Sequence, residues 1–208
     1  MKPMIIVIAG VILVLAAVLC AVVLFAMPHG PKLEEVKHLL EPRITTLPGQ
    51  RVLVVEARGD PTTMGSEAFG LLFKTYFKLK GVPKGPKQPA PRARWPLSLN
   101  TPKEQWVGRY AMPVPEDVNL PSGVPASPSG LQAQIATWEY GQVAEILHVG
   151  PYSDEEPTIR RLLDFIKDSG HATTGEHEEE YLKGPGVFSK GDPKKYLTII
   201  RYRLKKEK

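Results

Sequence analysis

A pattern that occurs twice constrains this chain more than any other feature. Arg51–Arg58 (RVLVVEAR) is rich in Val and reads as a strand, stopped by Gly59-Asp60-Pro61. Gln142–Val149 (QVAEILHV) reads the same way and is stopped by Gly150-Pro151-Tyr152. Apolar residues at i, i+3, i+4, i+7 follow each strand: Phe69, Leu72, Phe73 and Tyr76 in the first half, Ile159, Leu162, Leu163 and Ile166 in the second. Thr62 or Thr63 is expected to cap the first helix, which runs to about Lys80 and ends at Gly81. Ser153 and Glu156 offer an S-x-x-E capping box for the second, which Gly170 ends. Further strands follow each helix. Gln105–Val114 (QWVGRYAMPV) is the best of them in the first half, inside a stretch, 83–128, that holds 11 of the 21 prolines. Residues 115–130 read as loop. In the second half a short strand starts at Tyr181-Leu182, and Tyr196–Leu204 (YLTIIRYRL) is the last.

Gly59 and Gly150 lie 91 residues apart, and Phe69 and Ile159 lie 90 apart. Such self-similarity argues for duplication and a pseudo-twofold domain. The expected fold is therefore α+β: duplicated strand-helix-strand-strand units forming one antiparallel sheet, with two helices on one face. A pocket is expected where the halves meet.

Ahead of this domain, residues 4–27 carry no charge. A helix of that length rises about 36 Å, enough to cross a bilayer with some tilt. It is longer than the apolar core of a cleaved signal peptide, and Leu19 before Cys20 is too bulky for a lipoprotein site. The expected organisation is a single-pass transmembrane anchor at 1–28, a juxtamembrane linker at 29–43 and a folded domain at 44–208. The linker has a short amphipathic stretch with Leu33, Val36 and Leu40 on one side. Lys32, Lys37 and Arg43 after the span against Lys2 before it lean towards a cytoplasmic domain. One Cys excludes an internal disulfide framework.

His148-Val149-Gly150-Pro151-Tyr152, a helix, and then Glu179-Glu180-Tyr181-Leu182 resemble the GyrI-like (bacterial effector-binding) small-molecule-binding domain, whose second half reads H-x-G-P-Y, helix, Gly, E-x-Y-L. VVEARGDP and Trp106–Pro115 (WVGRYAMPVP) fit the same pattern, so the likeness covers about residues 44–204. The haem-binding SOUL proteins share the superfamily. The resemblance implies a pocket between two halves, lined by aromatic rings and holding a buried carboxylate that attracts cationic or amphipathic ligands. Many members are sensor parts of transcription regulators, and a few are hydrolases. Residues 29–50 are too few to hold a helix-turn-helix module.

Glu179 aligns with the Glu of E-x-Y-L, and strand alternation points it to the same face as Tyr181. A carboxylate among aromatic rings is costly to bury unless paired, and a cationic ligand relieves that cost. Each ring adds about 0.5–2 kcal/mol of cation–π attraction. Glu176, Glu178 and Glu180 read as solvated surface. Tyr152, Tyr181, Trp95, Trp106 and Trp138 are the candidate pocket walls, against the alternative that each is plain core. His148 reads as a satisfied histidine bracing the turn after its strand, and His171 with His177 makes a poor zinc site.

Lys78, Lys80, Lys84, Lys87, Arg92 and Arg94 fall in a stretch, 68–103, without an acid. This 78–94 basic loop is a candidate contact for anionic lipid headgroups, against a merely solvated loop; nucleic acid is not expected, because only Trp95 is there to stack on bases. The sequence thus points to a membrane-anchored domain that holds a small cationic or amphipathic molecule, without a cofactor. Three alternatives stand beside it: a hydrolase acting through Glu179 on an electrophilic molecule, a haem or tetrapyrrole carrier, and a membrane receptor or scaffold for a protein partner. No G-x-S-x-G, P-loop or G-x-G-x-x-G occurs.

Overall fold

The computed structural model describes residues 30–95, 101–124, 126–185 and 191–206. The expected anchor at 1–28 lies outside them, and among the described residues no helix is long and apolar enough to cross a membrane. Residues 83–88, with one 3-10 turn at Gly85–Lys87, lie outside the larger unit. The larger unit, 30–82 with 89–206, holds the sheet.

Its elements are α1 (Leu33–Val36), β1 (Arg43–Leu47), β2 (Gln50–Arg58), α2 (Pro61–Tyr76), β3 (Arg92–Trp95), β4 (Val107–Pro113), β5 (Ala133–Trp138), β6 (Gly141–Val149), α3 (Glu156–Asp168), β7 (His171–Lys183) and β8 (Leu197–Lys206). All eight strands join one sheet in the order β1-β6-β8-β7-β3-β4-β2-β5, each neighbour antiparallel.

Directly paired residues point to the same face, so the register sorts the side chains. One row runs Val55, Tyr110, Ala93, Glu179, Ile200, Ile146 across six strands. This is the face both long helices cover. Leu71, Leu72 and Tyr76 of α2 pack on Leu53, Val55, Tyr110 and Met112, while Ile159, Leu162 and Ile166 of α3 pack on Ala144, Ile146 and Ile200. Glu179 occupies the middle of the row.

The next row on the opposite face is charged throughout. Glu56, Arg109, Arg94, Glu178, Arg201, Glu145 and Arg43 follow one another, one from each of seven strands. Arg201 donates to Glu145 Oε2 and Glu178 Oε1 at 2.7 Å each, and Arg94 Nε donates to Glu178 Oε2 at 2.7 Å. The Tyr140 hydroxyl donates to Glu178 Oε1 at 2.9 Å, and Trp138 and Tyr140 lie 4.1 and 4.7 Å from the Arg94 guanidinium. The acidic run therefore does not read as a solvated surface. Glu178 is buried and ion-paired, and Glu176 and Glu180 pair with Arg94, Arg109, Arg92 and Arg201. The basic stretch divides likewise: Lys78, Lys80, Lys84 and Lys87 are exposed, but Arg92 and Arg94 belong to β3, Arg94 in this row and Arg92 two residues away beside Glu180.

Other local expectations are corrected by competing groups. The cap of α2 is Asp60, which accepts from the Thr62 amide at 2.8 Å, with Pro61 at the first helical position. The helix stops at Tyr76. The capping box of α3 does not form. Residues Tyr152–Asp154 make a 3-10 turn, the Ser153 hydroxyl turns to Asp154, and Glu155 takes the cap position with no side-chain hydrogen bond to the helix. Leu163 faces solvent, and near α1 the buried residue is Leu39 rather than Leu33 or Leu40. Strands β1, β3 and β5 were not expected, and β7 starts ten residues earlier than Tyr181.

Candidate ligand site

Glu179 is fixed by neighbours on its own strand and the next. The Tyr181 hydroxyl donates to its Oε2 at 2.6 Å, and the Trp95 indole N–H donates to Oε1 at 3.0 Å. His177 Nε2 stands 3.1 Å from Oε1, with its N–H poorly directed at that oxygen, and its Nδ1 is 3.2 Å from the Tyr202 hydroxyl. Alternation on β7 explains the set: His177, Glu179 and Tyr181 share a face, and Trp95 pairs with His177 across the β3–β7 ladder. Burial alone would push the Glu179 pKa up. The His177 ring, the Tyr181 hydroxyl and the Trp95 indole outweigh it and hold the carboxyl below its usual range.

Rings surround this carboxylate. Phe69 lies 6.0 Å from Tyr181 and 4.8 Å from Tyr110, and Trp95 lies 5.7 Å from Tyr110. Tyr152 packs 5.4 Å from both Tyr181 and Tyr196. Gly184 closes against the Tyr152 hydroxyl, at a spot where any side chain would meet that oxygen. Burial, then Glu179, raises the Tyr181 pKa well above that of a free phenol, and burial does the same for Tyr152.

A second carboxyl reaches the same surroundings. Glu155, at the start of α3, is 6 % exposed, and its Oε1 has no hydrogen-bond partner. Burial, then the charge of Glu179, pushes its pKa up to about 9, with the Thr198 hydroxyl pulling the other way. At neutral pH the pair is one ionised and one protonated acid.

Of the six expected site residues, Glu179, Tyr181, Tyr152 and Trp95 come together. Trp106 is one ring removed, 5.6 Å from Trp95, with its N–H spent on the Thr101 carbonyl at 2.6 Å. Trp138 is on the helix-free face beneath Arg94 and does not belong to the cluster. His148 braces its turn, its ring nitrogens 3.0 Å from the Thr158 hydroxyl and 3.2 Å from the Pro151 carbonyl. His177, Tyr110, Phe69 and Glu155 were missed. Alternation back from Glu179 would have found His177; nothing in the sequence marks Glu155.

Grooves occur elsewhere. One of about 670 Å³ runs along the outer side of α3, but its Arg160 and Arg161 are already paired with Glu156 and Glu41. Another of about 210 Å³ lies between α2 and residues 121–124. Neither includes a residue of the Glu179 cluster.

The GyrI-like small-molecule-binding domain model matches residues 40–203. The chain belongs to the GyrI-like family. Its fold is shared with a conserved protein from Listeria innocua, at 20% identity and a TM-score of 0.65, covering 83% of this chain and 97% of that one. A hydrolase from the same organism has 18% identity and a TM-score of 0.57 over 83% of this chain and 97% of that one. EcmrR, solved in a complex with DNA, has 15% identity and a TM-score of 0.60 over 84% of this chain and 61% of that one. Compared with curated protein sequences, the chain has no significant match.

Proposed function

We propose that this GyrI-like domain binds a small amphipathic cation at Glu179, on a chain held to a membrane by residues 4–27. The observation that carries the reading is a carboxylate kept ionised among aromatic rings by Trp95, Tyr181 and His177. Water solvates such a charge poorly, so a cation that brings its own apolar surface gains Coulomb attraction, cation–π contact and apolar burial together. The duplicated architecture is supported by the strand order, in which β6-β8-β7 is followed by its mirror, β3-β4-β2. Gly59 and Gly150 also end β2 and β6 with φ of 116° and 141°, conformations that favour glycine. The uncharged run supports the anchor, with a lean towards a cytoplasmic domain.

The test uses the full chain in detergent. Naphthylmethylammonium and its trimethyl quaternary analogue are expected to raise the melting temperature, and Glu179→Gln to abolish most of the shift. Unchanged melting across such cations in the wild type would refute the proposal.

A second reading, hydrolysis of an electrophilic small molecule, is favoured by the hydrogen-bonded pair itself. Glu179 would activate water or attack, and the Tyr181 phenol, kept protonated, would deliver a proton to the departing oxygen. Turnover of an aryl epoxide to its diol, lost in Glu179→Gln, distinguishes it from simple binding.

A further inference from the structure

The cap of α3 poses a problem that the helix does not explain. Acidic residues at a helix start ordinarily turn back to satisfy its free amides. Glu155 does not: its side chain makes no cap and goes inward. There Oε1 makes no well-formed hydrogen bond, and neither does the hydroxyl of the fully buried Thr198 on β8, although its nearness to the carboxyl pulls the Glu155 pKa down. Thr198 pairs with Tyr181 on one side and His148 on the other, so these groups share the helix-covered face beside Glu179. Two buried oxygens at one corner that satisfy each other so poorly are costly.

The groups that face this corner come from every neighbouring element. They are Tyr152 from the turn before α3, Glu179 and Tyr181 from β7, Thr198 from β8 and Tyr196 just ahead of it. None is a cation, and the His148 nitrogens are engaged by Thr158 and Pro151. His177 lies on the far side of Glu179. Tyr152 is 39 % exposed, so the corner reaches solvent through that ring.

We propose that Glu155 is a second ligand-binding carboxyl, and that the site prefers a cation that still carries N–H bonds, a primary or secondary ammonium on an apolar body, over a quaternary one. The proposal rests on the cation-binding reading of Glu179. A quaternary centre satisfies Glu179 by charge alone and leaves the Glu155 and Thr198 oxygens empty. An ammonium donates to Glu155 with one N–H while its charge faces Glu179. The protonated state of Glu155 agrees with this, since a neutral carboxyl accepts through its carbonyl oxygen without placing two charges side by side.

The experiment titrates the full-length chain in detergent with naphthylmethylammonium and with its trimethyl analogue at pH 7. The primary amine is expected to bind about tenfold or more tightly. In Glu155→Gln, whose amide carbonyl accepts as the protonated acid does, the preference for the primary amine should be kept, and in Glu155→Leu, which fills the space but accepts nothing, the two affinities should fall within about threefold, with the trimethyl affinity kept. Equal affinities in the wild type overturn the role of Glu155 and leave Glu179 standing. Binding of neither cation overturns both readings.

Discussion

The Tyr181 hydroxyl and the Glu179 carboxylate, two residues apart on one strand, are joined by a 2.6 Å hydrogen bond that, with the His177 ring and the Trp95 indole, keeps the acid ionised among aromatic rings. A hydrogen bond to a charged group contributes about 1.5–3 kcal/mol. Tyr181→Phe is therefore expected to raise the Glu179 pKa and to weaken cation binding. The loss should be larger at pH 5 than at pH 8, because a raised pKa leaves less of the carboxyl ionised at the lower value. Titrations at the two pH values check this, and an equal loss at both would point to lost packing instead.

Glu155 gives stability a pH dependence with a definite sign. Its folded pKa, about 9, lies above the value it has in the unfolded chain, so folding favours the protonated form. Its contribution is complete below the usual carboxylate range and is lost as pH rises towards about 9. Glu155→Gln should remove that decline and stabilise the domain at pH 8 by on the order of a few kcal/mol. Denaturant unfolding of wild type and variant between pH 5 and 9 measures it.

Gly184 tests whether Tyr152 is a wall of the site. A methyl there would meet the Tyr152 hydroxyl, the free end of a side chain able to move. Gly184→Ala is expected to cost little stability yet change cation affinity several-fold, because Tyr152 must leave Tyr181 and Tyr196. Binding and melting measured on one preparation separate the two effects.

Arg201 holds three acids, and its removal should be severe. Arg201→Met strands Glu145 and Glu178 without their shared cation and is expected to cost about 3–5 kcal/mol. Arg43, half in water at the outer end of the same row, should cost about 0–1 kcal/mol on change to Ala. Comparable losses for the two would mean that burial does not govern the row.

What the sequence revealed followed from simple periods. Leu72, Tyr76, Ile159, Leu162 and Ile166 have helical spacing because one stripe of each helix meets the sheet, and all five are buried. Strand β7 reads short from the sequence because a run of glutamates resembles solvent-facing charge. Its partners, Arg94 and Arg201, are far away in sequence, and pairing across that distance leaves no local mark. Strand β3 hides among prolines that lie just outside it. Within the site, E-x-Y-L identified Glu179 and Tyr181, and the aromatic content suggested Trp95. Trp138 ends β5, a strand without a clear mark in the sequence, so nothing there fixes which face it takes. Glu155 escaped because an acid at a helix start has an ordinary explanation that the folded chain does not use.

The seven-residue charged row has a consequence for how the molecule assembles. Seven of the eight strands contribute one ionic group at one level, so any of them that paired one residue out of step would present its neighbour with a side chain from the wrong side. An arginine so misplaced would lie among apolar side chains under the helices, away from the acids of its own row. The underside of the sheet thus proofreads the alignment of the upper side, where a displacement by a single residue would exchange the waiting carboxylate for an arginine's partner.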